Sequence, residues 1–129
     1  MSRTTPTQRT LALLKKRGWT AAVVEKWIPI PNSPAGGIRR DLFGGIDVIA
    51  LNPEAGWTRR IHGIQCCAAS GLAAHRDKLR AEPRMKLWIE AGGCLEIHAW
   101  RKVGARGKRK LWEPLIESVL VSDFTEQPA

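Results

Sequence analysis

The sequence predicts an α/β fold, a mixed β-sheet flanked by helices in the order α-β-β-β-α-α-β-β. Three observations predict it. Runs rich in β-branched and aromatic residues, bounded by Pro, Gly and Asn, recur along the chain. Helix-start chemistry stands at Thr5-Pro6 and again at Ser70. Helices falling between the third and fourth strands imply layers of helix against a sheet. At 129 residues the chain is expected to be a single domain, 1–129, with a basic loop at about 101–110 and a frayed C-terminal tail.

The first helix is expected from Pro6 to Arg17, with Leu11, Leu13 and Leu14 inward. Lys15, Lys16 and Arg17 load its last turn with cations, which suits the negative end of the helix dipole. Gly18 is its C-cap. "TAAVVEKWI" predicts a strand over 20–28, stopped by Pro29 and Pro31. "PNSPAGGIRR" is turn chemistry and predicts an exposed loop. Ile46 to Leu51, apolar at successive positions, predicts a strand covered on both faces. "NPEAG" is a turn, and Thr58 to Cys67 is the next strand. Ser70 caps a helix reaching Glu82, and "PRMKLWIEAGG" is a second, closed by Gly92 or Gly93. "CLEIHAWRK" alternates as a strand. The last strand is expected to break near Pro114 and resume at Val119 to Phe124.

Charge is the strongest global signal. There are 21 Lys plus Arg against 12 Asp plus Glu, for a net charge of +9. A domain this basic is drawn to polyanions, of which nucleic acid is the commonest. No apolar run approaches the roughly 20 residues of a membrane span, and the N-terminus has no apolar core segment of the secretory kind. Three cysteines, two of them adjacent, suit reduced thiols and a cytoplasmic location rather than disulfides or structural zinc.

One stretch breaks the apolar pattern. "RRDLFGGIDVIALNPEAGWTRRIHGIQCCAAS" sets Asp47 at the head of one apolar run and Gln65 within the next. Burying a carboxylate in such a run is costly unless it has a partner. On a strand Gln65 and Cys67 share a face and Cys66 points the other way. Gly44-Gly45, just before Asp47, allow a phosphate or metal near the backbone. If three strands are neighbours, Glu25, Asp47 and Gln65 converge at one end of the sheet. The candidate metal positions are Asp47, Gln65 and Cys66, with a backbone carbonyl among the oxygens. Such a set suits Mg²⁺, or Mn²⁺ in its place, and with it phosphodiester hydrolysis.

"GGIDVIAL" followed by "GIQCCA" resembles the PD-(D/E)xK nuclease superfamily, which includes restriction enzymes and Holliday junction resolvases. The "DLFGGIDVIAL" stretch is most similar to small phage-type repair nucleases and resolvase-like proteins. The resemblance spans roughly residues 7 to 102. It implies a restriction-endonuclease-like core and metal-dependent cleavage of DNA, branched DNA included, by a homodimer in the cytoplasm of a bacterium or a phage-infected host. Asp47 matches the metal-binding acid. Gln65 stands where the family has Glu or Asp, and Cys67 where it has lysine. Glu25 matches an upstream acid of some members, and Asp41 competes for that role. Because the lysine migrates in this superfamily, Lys78, Lys26 or Arg76 is expected to supply the amine. If none does, the resemblance implies a catalytically inactive DNA-binding or phage structural protein on the same fold.

The remaining residues divide between packing and binding. Cys67 reads as a small buried hydrophobe, and His62, His75 and His98 carry no hydrolase signature. His98 and Trp100 share a strand face, and the choice there is between packing and stacking on a base. Arg39 and Arg40, with Arg101, Lys102, Arg106, Lys108, Arg109 and Lys110 of the densest basic run, are the candidate phosphate contacts. No base-reading signature accompanies them, so shape rather than sequence is the expected target.

Overall fold

Thr5 opens the chain's first helix as the sequence predicts. Its hydroxyl accepts from the Gln8 N–H while the Gln8 side chain accepts from the Thr5 N–H, a reciprocal capping box. This computed structural model describes residues 4–54, 60–104, 107 and 109–124. Its helices are α1 (Pro6–Lys16), α2 (Leu72–Ala81) and α3 (Pro83–Glu90). The strands are β1 (Thr20–Val23), β2 (Lys26–Pro29), β3 (Gly37–Arg40), β4 (Val48–Leu51), β5 (Ile61–Ala68), β6 (Cys94–Val103) and β7 (Leu111–Val119).

Five strands form one mixed sheet in the order β1-β4-β5-β6-β7. Only β5 and β6 run parallel, because α2 and α3 carry the chain back between them. The class is therefore α/β, a mixed five-stranded sheet flanked by helices. Leu14 of α1 packs on Val48, Ala50, Ile64 and Cys66 on one face. Leu79 of α2 and Met85 of α3 pack with Cys67, Leu95, Ile97 and Ala99 on the other. Alternation along β5 sends Cys66 to the α1 face and Gln65 and Cys67 to the α2/α3 face. No helix among the described residues is long and apolar enough to cross a membrane.

The structure departs from the expected elements in four places, each with a local cause. The single strand over 20–28 is two. Val24 N–H donates to the Asp47 carbonyl at 2.8 Å as the last rung against β4, and the chain then leaves the sheet at Glu25. The loop expected over 31–40 instead ends in β3, which pairs with β2 as a separate hairpin. Gly37 permits this, since a Cβ there would sit 2.9 Å from the Trp27 ring and 2.4 Å from the Ile28 carbonyl oxygen. Ser70 does not cap α2: a 3-10 turn over Ala69–Gly71 precedes it, with Gly71 at the N-cap. Pro114 does not break β7, because β7 is an edge strand and Pro114 lies opposite Trp100 without disrupting the ladder. The expected resumption at 119–124 is a 3-10 turn over Val121–Asp123. Residues 58–59, 105–106, 108 and the tail 125–129 lie outside the described residues.

Beneath α1 the sheet buries a polar network. Thr10, fully buried, bonds His98 Nδ1 at 3.3 Å and accepts from Trp100 Nε1 at 3.0 Å. Glu96 contacts His62 Nδ1 and lies 3.9 Å from His98 Nε2. His98 and Trp100 are thus largely buried and hydrogen-bonded, as packing residues.

Candidate metal centre

"DLFGGID" folds as one tight loop. Leu42 and Ile46 bridge each other, with Leu42 N–H donating to Ile46 O at 2.8 Å and Ile46 N–H to Leu42 O at 3.0 Å. The residues just outside that bridge, Asp41 and Asp47, are thereby brought side by side. Gly44, at φ 78°, supplies the left-handed step. Gly45 is required by packing: a Cβ there would lie 2.5 Å from Leu79 Cδ2 and 2.6 Å from Met85 Sδ. The two glycines therefore seat the loop on α2 and α3, where the sequence suggested an approach path for a ligand.

Glu25 arrives from the break between β1 and β2. One carboxylate oxygen each from Glu25, Asp41 and Asp47 lie within 4.8 Å of one another. Asp47 is buried, at 4% exposure, while Glu25 and Asp41 are half-buried at the rim. Asp47 Oδ2 accepts the Gln65 amide at 2.5 Å and the Cys66 N–H at 2.8 Å. The convergence of Glu25, Asp47 and Gln65 expected from the sequence is present, and Asp41 joins it as a full member.

Lys78 completes the cluster from α2. Its Nζ donates to Asp41 Oδ2 at 2.7 Å and to Gln65 Oε1 at 3.4 Å. The Gln65 amide thus bridges Lys78 and Asp47. Arg76, two residues earlier, is bidentate to Glu117 of β7, both bonds at 2.7 Å, and is engaged there. Lys26 sits on the exposed β2–β3 hairpin opposite Arg40. The amine at this cluster is therefore that of Lys78.

The electrostatics follow from crowding acids in a buried corner. Burial pushes the Asp47 carboxyl up to about 8, and the hydrogen bond with Asp41 and the charges of Asp41 and Glu25 add to it, against the Cys66 N–H. For Asp41 burial also acts upward, but hydrogen bonds with Asp47 and Lys78 outweigh it and hold that carboxyl below the usual range. Asp47 thus keeps a proton near neutrality, chiefly because it is buried. Clustered carboxylate oxygens suit a hard divalent cation, which takes oxygen ligands and displaces such a proton.

Cys66 reaches this site through its backbone N–H. Its thiol lies on the α1 face, on the other side of the sheet from the acid cluster, where burial pushes it up to about 12, so it does not contribute to this site. Cys67 packs in the core against the helices. His75, which the sequence marks only as lacking a hydrolase signature, stands one turn before Lys78 on α2. Burial first, and Lys78 second, lower its pKa, and its Nδ1 is enclosed without a hydrogen-bond partner among the described residues.

The basic candidates fall into two groups. Arg39 and Arg40 lie exposed on β3, immediately before Asp41, and Arg39 reaches Glu25 at 3.2 Å. Both ends of the hairpin are thus rooted in the acid cluster. Arg101, Lys102, Arg109 and Lys110 are exposed at the far end of β6 and β7. Arg106 and Lys108 lie outside the described residues. Comparison of the chain with protein-family models, curated proteins and solved structures returned no match.

Proposed function

We propose that this chain binds DNA and hydrolyses phosphodiester bonds with a divalent cation, magnesium or manganese, on a restriction-endonuclease-like core. The observation that carries the reading is the meeting of Glu25, Asp41 and Asp47 within 4.8 Å, with the Lys78 amine 2.7 Å from Asp41. Asp41, Asp47, Glu25 and the Gln65 amide oxygen would hold the ion. When bound, the ion supplies charge neutralisation and Lewis acidity at the phosphodiester. Lys78, partly exposed at the rim, steadies the negative charge that grows on the phosphate, the work the family gives to a lysine at the position of Cys67. Lys26, Arg39 and Arg40 on the hairpin hold the flanking backbone by phosphate contacts, which favours recognition of shape. The homodimer and the cytoplasmic location belong to the same proposal and rest on the resemblance to resolvases.

A second reading is favoured by one bond. The Gln65 Nε2 donates to Asp47 Oδ2, spending on a neutral amide the acceptor that a cation would use. On that reading the cluster is structural and the chain binds DNA without cutting it. Cleavage of branched and linear DNA in Mg²⁺ or Mn²⁺, wild type against Asp47→Ala, separates the two. Cutting lost in the variant supports the nuclease. Salt-sensitive binding without cutting in the wild type supports the binder, and cutting that survives Asp47→Ala removes the centre from the reaction.

A further inference from the structure

On the α1 face, opposite the acid cluster, the ends of β5, β6 and β7 leave a groove of about 580 Å³. Its walls are Pro6, Ala68, Trp100 and Trp112, and its cations are Arg9 and Lys102. Among the described residues no acidic side chain lines it. Trp112 and Lys102 are register partners on β7 and β6, so their side chains rise on the same face. Lys102 Nζ lies 5.3 Å from the centre of the Trp112 ring. Arg9 comes from α1 and lies 3.6 Å from that ring centre, its guanidinium fixed by a 2.7 Å bond from Nη1 to the Thr4 carbonyl.

Three features point to one kind of occupant. Arg9 and Lys102 have no carboxylate partner among the described residues, whereas Arg39, Arg76, Lys78, Arg80 and Arg84 all have one. Trp112 is 42% exposed, although an indole ordinarily seeks burial. The guanidinium lies over the indole face, 3.6 Å from the ring centre, so its outer side is the surface a further ring would meet, with the ordering of the long side chain prepaid. Unpaired cations ask for phosphate, and a planar aromatic-guanidinium shelf asks for a planar partner. A duplex keeps its base faces covered, and an acidic peptide brings charge without planes.

We infer that this groove binds single-stranded nucleic acid, stacking a base on the Trp112–Arg9 shelf and seating the adjoining phosphates on Arg9 and Lys102. The inference rests on reading the chain as a DNA-binding protein and adds a second contact, on the face away from the acid cluster. It gives such a protein a hold on the unpaired strand of a branched or frayed substrate.

The test is fluorescence anisotropy with a labelled oligothymidylate of about 12 nucleotides, within the span such platforms occupy, and with a labelled duplex. Both titrations are run in EDTA, so that a silent metal centre cannot produce a negative result. Trp112→Ala is expected to weaken the single strand by roughly ten- to a hundredfold, the usual worth of one stacked base. Trp112→Phe is expected to recover most of the loss, which a folding defect would not allow. Lys102→Glu is expected to weaken the single strand and to flatten its salt dependence. Single-strand binding indifferent to Trp112→Ala and Lys102→Glu overturns the inference, as does equal competition by polyglutamate of matched charge. Wild-type binding of duplex but not of single strand overturns the groove alone, and binding of neither overturns the DNA-binding reading with it.

Discussion

Lys78 Nζ stands 2.7 Å from Asp41 Oδ2, across a gap of 37 residues in sequence. That contact brings a helix-borne amine to the acid cluster. It also makes a specific demand. If the amine acts on the phosphate rather than holding the acids together, its loss must harm cutting without harming ion binding. Lys78→Met is expected to lower cleavage by roughly 10²–10³-fold, the usual cost of one charge-stabilising donor. The same variant should bind Mn²⁺ at least as tightly as wild type in calorimetry, since one competing cation has gone.

Gln65 offers the converse change. Ligand charge tunes divalent affinity, so Gln65→Glu is expected to tighten Mn²⁺ by roughly tenfold. Without metal the added carboxylate would meet Asp47 and lose the 2.5 Å amide bond. The metal-free variant should therefore melt earlier than wild type and recover on adding Mn²⁺. Calorimetry and thermal melts with and without the ion check both halves.

Thr10 tests the polar network under α1. It serves both His98 and Trp100 while fully buried. Thr10→Val keeps the shape and strands two buried polar groups, for an expected loss of about 2 kcal/mol. Urea melts followed by tryptophan fluorescence measure it. A variant as stable as wild type would mean that water or a neighbour satisfies both rings.

Glu96 makes the fold sensitive to acid. Burial alone would raise its carboxyl, but hydrogen bonds from His62 and His98 outweigh it and hold the group at about 2. A carboxyl depressed in the folded state contributes stability above its unfolded value of 4.5, and that contribution drains away as pH falls toward 2. Wild type is expected to lose stability through that window more steeply than Glu96→Gln, which has no such proton to take up. Parallel curves for the two proteins in acid unfolding would refute this.

Much of the sheet was legible because its strands are bounded by turn chemistry and their faces alternate. The helix starts at Thr5-Pro6 and at Pro83 read directly. The β2–β3 hairpin did not, because "PAGGIRR" carries a loop's composition and Gly37 is there to fit under Trp27, a contact distant in sequence. Pro114 read as a break because a single sequence does not reveal which strand lies at an edge. In the site, Asp47 stood out as a charge in an apolar run. The partnership of Asp41 was written in the symmetry of "DLFGGID" about its glycine turn, once Leu42 and Ile46 are recognised as the closing pair. Trp112 gave no signal at all, since its shelf is made by Arg9 from the other end of the chain.

The central claim is that Glu25, Asp41 and Asp47 form one seat for a divalent ion, and a Mn²⁺ titration by calorimetry of the wild type against Asp47→Asn examines it most directly. The account predicts a single saturable site in the wild type, with proton release near neutral pH as Asp47 ionises, and its loss in the variant although the variant stays folded. Binding of equal affinity in both proteins, or none in either, would contradict it.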